Sequence, residues 1–163
     1  MLGHRNISKK QRRKSGQVLK VGLGDGAYAL AMVLKEPLIA FFDRLFLRDQ
    51  PEHFEVGGLP VAFTLMVMNH AVTSRRWPVV GSADIPEELR FSPKFCKQDE
   101  LSGILSIYHE IPELAPLYER YASPGECIGL ETAAVWEPEH VEDRLRDHFR
   151  GLPNKWVEQL KIT

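Results

Sequence analysis

Cysteine is scarce in this chain. Cys96 and Cys127 are the only two in 163 residues, 31 positions apart, with neither a Cys-x-x-Cys pair nor a zinc-spaced histidine beside them. That excludes a disulfide-dense secreted scaffold, and the expected state is two reduced thiols in a cytoplasmic protein, with a single bridge between them as the unsupported alternative. Long apolar runs are missing too. The longest uncharged stretch, Val56 to Ser74, is interrupted by Gly57, Gly58, Pro60, Asn69 and His70, which leaves too little apolar length to cross a bilayer. The apolar run behind the basic N-terminal residues is broken by Gly22, Gly24 and Gly26 and lacks a small-residue cleavage site, so no signal peptide is expected. Internal repeats and low-complexity tracts are absent.

Motifs of catalysis are also lacking. No Gly-x-Ser-x-Gly elbow occurs, and neither cysteine carries a local nucleophile signature. His109-Glu110 opens like a zincin, but the position four after the histidine is Glu113, and Pro112 would break the helix that such a motif needs. His140 and His148 are eight apart on an expected helix, two turns from each other, so they do not form a ligand pair. Carboxylates are abundant, yet tuned acids sit singly in apolar surroundings rather than in crowds. No catalytic, metal or cofactor-binding residue is assigned, and the composition points to a binding protein rather than an enzyme.

What is present is charge, unevenly spread. The net charge is −1, from 21 basic and 22 acidic residues. Arg5, Lys9, Lys10, Arg12, Arg13 and Lys14 make the first 14 residues basic and free of acids, so the remaining 15 basic residues face all 22 acids. Residues 1–15 therefore read as a basic, disordered arm and residues 16–163 as a single acidic domain. The arm has no interleaved aromatics, which argues against nucleic acid as its partner. From Asp99 to Asp143 there are eleven acids against Arg120 alone. Such a segment offers a partner-binding face, with Asp99, Glu100, Glu110, Glu113 and Glu131 as candidates and Glu110 and Glu113 in the lead, because they flank Pro112 at an expected strand-to-helix junction.

Around Asp25-Gly26 the pattern predicts a three-stranded antiparallel meander. Asp-Gly between apolar runs suits a type I′ turn. The run after it alternates small and large side chains, and Leu38 to Phe42 is apolar throughout, as in a strand covered on both faces. A rival reading takes Gly22, Gly24 and Ala27 as Gly-x-Gly-x-x-Ala and Asp43 as a ribose-binding carboxylate, which would make this a dinucleotide site. Its helix would have only Ala27 to Glu36 before Pro37, apolar on all sides. Further strands are expected over Leu59–Met68, around Trp77, over Ile104–His109 and over Cys127–Trp136, with a helical turn after Pro86. Helices are expected from Ile111 to Tyr121, from Pro138 to Arg150 with Gly151 as its cap, and over Pro153–Leu160. Trp77 and Trp136 are expected in the core.

Taken in order, Gly16, Asp25-Gly26 followed by an aromatic, Ile39-Ala40-Phe41-Phe42-Asp43, Trp77 with Gly81, Pro86, Pro93 with Phe95, Gly129-Leu130-Glu131 and Trp136 resemble the bacterial immunity protein 26 family. The resemblance runs from Gly16 to about Leu145. It implies a non-enzymatic protein that binds and neutralises a cognate toxin, often a nuclease, encoded beside it. The expected fold is α+β and mainly β: an antiparallel curved sheet or small barrel with one or two C-terminal helices. The basic arm lies outside the resemblance. An acidic face would steer a basic toxin domain toward it. The alternative is an uncharacterised cytoplasmic enzyme or a dinucleotide-binding protein using Gly22 to Asp43. The sequence specifies neither the toxin nor the oligomeric state.

Overall fold

The computed structural model describes residues 10–111 and 114–162, the side chains at 110, 111 and 114–118 excepted. Asp25 (φ 53°) and Gly26 (φ 77°) both take left-handed backbone, the type I′ geometry that matches strand twist. A Cβ on Gly26 would stand 2.8 Å from Cβ of Arg48, so that position needs glycine for space as well as for φ. Across the turn β1 (Gln17–Gly24) pairs antiparallel with β2 (Ala27–Val33), Val18 opposite Met32 and Gly22 opposite Tyr28. After a cis Glu36–Pro37 peptide, β3 (Leu38–Phe42) returns along β2 with all five residues buried. The meander is present as expected. The dinucleotide reading is overturned, because Ala27–Val33 is a strand and offers no helix N-terminus to a pyrophosphate. Asp43 is instead paired with His148 at 2.7 Å.

The remaining elements follow in order: β4 (Val61–Val67), α1 (His70–Thr73), β5 (Val79–Ser82), a 3₁₀ turn at Glu87–Leu89, β6 (Phe95–Gln98), β7 (Leu105–Ile111), β8 (Leu114–Tyr121), α2 (Pro124–Cys127), β9 (Glu131–Thr132), β10 (Val135–Trp136), α3 (Pro138–Arg150) and α4 (Lys155–Gln159). They build two open sheets, one of six strands in the order β10-β4-β3-β2-β1-β5 and one of four in the order β8-β7-β6-β9. The class is α+β and mainly β, as expected, and among the described residues neither sheet closes into a barrel. Each sheet is antiparallel except for one short parallel pair, β4 with β10 and β6 with β9.

Four expectations need correction. The helix expected over Ile111–Tyr121 is the strand β8, with Ser106 opposite Tyr121 and Ile111 opposite Leu114. The helical spacing of Leu114, Leu117, Tyr118 and Tyr121 was outweighed by Pro116, which opposes a helix interior, and by the partner strand alongside. The single strand expected over Cys127–Trp136 is broken. A capping box from Ser123 and Glu126 starts α2, Gly129 takes a positive φ, and the chain then crosses between sheets after β9. Trp77 lies just ahead of β5 rather than within a strand. Finally, Cys96 and Cys127 are bonded to each other, their Cα atoms 5.6 Å apart; separation in sequence carried no information about that contact.

The arm is fastened where it is described. Gln11 donates to the carbonyls of Val72 and Trp77 and accepts from the N–H of Val79, and Arg13 donates to the carbonyls of Val67 and Pro37. These contacts tie residues 11 and 13 to the large sheet, against the expectation of a loose segment there.

α3 covers one face of the large sheet. Its Val141 and Leu145 meet Leu19, Val21, Ala31, Phe41, Leu65 and Trp77. Pro138 opens the helix, and Gly151, at φ 67°, ends it by donating to the carbonyl of His148 while Leu152 donates to that of Asp147. The opposite face, with Tyr28, Leu30, Met32, Phe42 and Phe46, is covered by the loops around Phe54 and Leu89 and by Phe95 of the second sheet. Trp77 and Trp136 are both core residues, 0% and 4% exposed.

One polar contact is set inside this apolar layer. Glu142, 6% exposed, accepts Nε and Nη2 of Arg76 at 2.8 and 2.7 Å and Nε1 of Trp77 at 2.9 Å. Replacing Glu142 with Leu leaves the buried Trp77 N–H without an acceptor, a loss of about 1 to 3 kcal/mol, while Arg76 can turn toward water. Glu142→Gln keeps an acceptor and is expected to lose less. Urea unfolding of both variants checks this, and equal midpoints for Leu and Gln would remove the Trp77 contact as a source of stability.

Candidate partner-binding surface

The acidic segment is mostly matched within the chain. Glu119 accepts from Ser106 and stands 3.8 Å from Lys97. Glu126 holds Arg120 and closes the α2 capping box, and these contacts keep its carboxyl below the usual range. Glu131 forms a two-pronged pair with Arg144, whose guanidinium lies 4.0 Å from the ring centre of Phe63. Glu137 meets His70, Glu139 meets Arg76, and Asp143 accepts from Arg146 and Trp156. Counting the segment alone hid these partners, because most of them lie outside it in sequence.

Two carboxylates differ. Asp99 and Glu100 stand on the turn between β6 and β7, and among the described residues neither forms an ion pair. Oδ1 of Asp99 accepts the N–H of Leu101 at 3.0 Å and both the N–H and the hydroxyl of Ser102, at 2.8 and 3.0 Å. Gly103, at φ 72°, donates back to the Asp99 carbonyl, and Asp99 donates to that of Ile104. The turn is thus built before any partner arrives. Those donors, first the Ser102 backbone N–H, hold the Asp99 carboxyl below its ordinary value. Glu100 and Leu101 are carried outward on this frame, Leu101 with its surface fully exposed.

The turn stands at the mouth of a cleft of about 900 Å³, walled by Ile104, Leu105, Ile128, Leu130, Trp136 and Leu160 among others, with Cys127, Glu131 and Arg144 also lining it. The second sheet and α2 form one wall, and the end of α4 the other. Thr132 fixes the two by donating to the Leu160 carbonyl at 2.7 Å. Ile104 is 52% exposed and Ile128 81%. Large apolar side chains gathered at a cleft mouth are the kind of surface that marks an interaction site.

Of the five carboxylates expected to bind a partner, Glu131 lines this cleft, whereas Asp99 and Glu100 stand on the turn whose ends, Gln98 and Gly103, border it, the Asp99 side chain facing the other side of the sheet with Lys97 and Ser106. Glu110 lies apart: it sits toward the other end of β7, six residues from Ile104 and so roughly 20 Å along the strand. Glu113 falls outside the described residues, as does the side chain of Glu110. The junction proposed to display them lies between two strands rather than between a strand and a helix. What sequence reasoning missed is the apolar part. No local pattern marked it: Leu101 in Asp-Glu-Leu-Ser-Gly, a large apolar side chain in the middle of a turn, belongs to the bordering turn and does not line the cleft. Among the described residues, no three His, Cys, Asp or Glu side chains come together as a metal site would require, and no helix is long and apolar enough to cross a membrane.

The titration of the turn has a definite sign. A folded-state pKa below the unfolded one means that the Asp99 hydrogen bonds stabilise the turn above the unfolded value and are lost as pH falls through the folded one. The amide resonance of Ser102 is expected to follow that event with a midpoint below the ordinary Asp value. A midpoint at or above it would remove the carboxylate from its place in the turn.

Residues 14–103 match the family model described as Immunity protein 26. No curated protein and no solved structure matches the chain.

Proposed function

The chain belongs to the Immunity protein 26 family, and from that premise we propose that it neutralises a cognate bacterial toxin domain by binding it, with no catalysis of its own. The observation that carries the reading beyond family membership is the prebuilt β6–β7 turn, which presents Asp99 and Glu100, neither in an ion pair among the described residues, next to a cleft with an exposed apolar mouth. A nuclease domain, which needs a positive cleft to hold phosphates, is the partner class this charge suits. The proposed contact residues are Asp99, Glu100, Glu110, Glu113 and Glu131. Glu131 differs in kind from the others, since its pairing with Arg144 makes it part of the cleft wall.

Exposed charges at the rim of an interface act mainly on the rate of encounter. Stopped-flow association with the toxin domain encoded beside this chain, at two salt concentrations, is the test. Glu100→Lys is expected to slow association and flatten its salt dependence, and Glu110→Lys with Glu113→Lys to do the same if that end of the second sheet also faces the partner. A complex whose rate ignores all three charges would move the interface elsewhere, and no complex at all would end the immunity reading.

We place the protein in the cytoplasm of the producing cell, and there the Cys96–Cys127 contact has a consequence. Cytosolic thiol pools keep such pairs reduced, so trapping thiols with N-ethylmaleimide at lysis and weighing the intact protein is expected to show two added groups. An unlabelled protein would place it in an oxidising compartment instead.

A further inference from the structure

Three surfaces other than the acidic turn could meet a partner: the outer edge of β8, the docked basic segment at Gln11 to Lys14, and the cleft. The cleft is carried furthest by what surrounds it. We propose that it receives a large apolar side chain of the toxin domain, with a lysine or arginine of the same segment lying against Glu100 on the adjoining turn. The proposal rests on the immunity reading above and adds where the partner is gripped.

Charge selects the occupant. The ionised side chains in the cleft wall are matched inside the chain, Glu131 with Arg144 and Lys161 with Glu158, and Arg120 near the mouth is held by Glu126. On the turn that borders the opening, Asp99 has Lys97 as a neighbour and Glu100 has no ion-pair partner among the described residues, so the excess charge there is negative. An apolar segment with acidic flanks would be repelled there, and one with a basic flank is drawn in.

Shape and polarity agree. Ile104 and Ile128, both exposed, line the opening, so that a side chain entering between them meets aliphatic surface, the arrangement of a central anchor in its pocket. The turn is already fixed by Asp99, Ser102 and Gly103, so little ordering cost falls on this side of the contact. Deeper in the wall, Trp136 is 4% exposed and its Nε1–H has no acceptor among the described residues. An indole N–H in such a position has a resonance governed by its immediate surroundings, which makes it a sensor for an occupied cleft.

The test uses the full chain and the toxin domain encoded beside it. Affinity is measured for the wild type, Ile104→Asp, Ile128→Asp and, as a control away from the cleft, Leu152→Asp. All three side chains are at least half exposed, so each variant is expected to fold. The first two are expected to weaken binding by about tenfold or more, the fall typical of losing an anchor, with the control within a few-fold of wild type. In a nitrogen-labelled sample, the Trp136 indole cross-peak, assigned through Trp136→Phe, is expected to move when the toxin is added. A wild-type complex that both cleft variants form equally well, with the Trp136 peak unmoved, overturns the cleft while leaving the immunity reading intact. Absence of a wild-type complex overturns both.

Discussion

The structure depends on how α3 is fastened to what lies beneath it. Val141 and Leu145 supply the apolar contact, but apolar contact alone lets a helix slide or rotate on a flat sheet. Glu142 removes that freedom, because it must meet two nitrogens of Arg76 and one of Trp77 at once. Its neighbours continue the fastening in other directions: Asp143 to Trp156, Arg144 to Glu131, Arg146 to the carbonyl of Leu23, Asp147 to Asn154 and His148 to Asp43. Between 142 and 148, every residue that is not apolar holds a different part of the chain. One helix therefore sets the large sheet, the second sheet and α4 in register, and the cleft is the space left between the last two.

This arrangement changes what the acidic composition means. Most carboxylates between Asp99 and Asp143 are structural, each answering a basic or donor group brought near by the fold. Exposed pairs of this sort add little stability singly, and their larger effect is to cancel the field that an unpaired row would produce. A surface with ten surplus charges would attract any basic molecule. A turn that holds Asp99 and Glu100 outside any ion pair, in the place proposed for the partner, would discriminate by position as well as by sign.

The large sheet was legible in the sequence because its determinants are local. Asp25-Gly26 admits few turn types, five apolar residues in a row after Pro37 admit few strands, and Pro138 with Gly151 brackets a helix. Beyond Gln98 the determinants become tertiary. Leu114 to Tyr121 has helical spacing and a strand partner, and the partner prevails. Glu131 to Trp136 alternates as one strand would, but its two halves pair with different sheets, which alternation cannot reveal. The Cys96–Cys127 contact depends on α2 folding back over β6. Of the candidate site, the negative charges could be read directly and the apolar cleft could not, since its walls come from segments separated by up to sixty residues.

The second sheet shows why the site is where it is. Its own core is small, Cys96, Leu105, Ile107 and Cys127 with Leu130 and Ile162 packed against them, and so small a cluster contributes little burial. The sheet is held instead by the Glu131 to Arg144 pair and by the hydrogen bond from Thr132 to Leu160, with Cys96 and Cys127 buried against each other. Each of these crosses between elements that line or border the cleft. The family match ends at Gly103, on the turn itself, while Ile104, Ile128, Leu130, Trp136 and Leu160 all lie beyond it. The matched span thus builds the frame, and the surface proposed for the partner is built on the part of the chain the match does not reach. A scaffold fixed by a large sheet can alter the exposed residues at the cleft mouth, Ile104 and Ile128, at small cost to its own stability, whereas Trp136, Glu131 and Arg144 in the wall are bound to the fold. That division is the physical condition for keeping one fold while changing what the mouth would recognise.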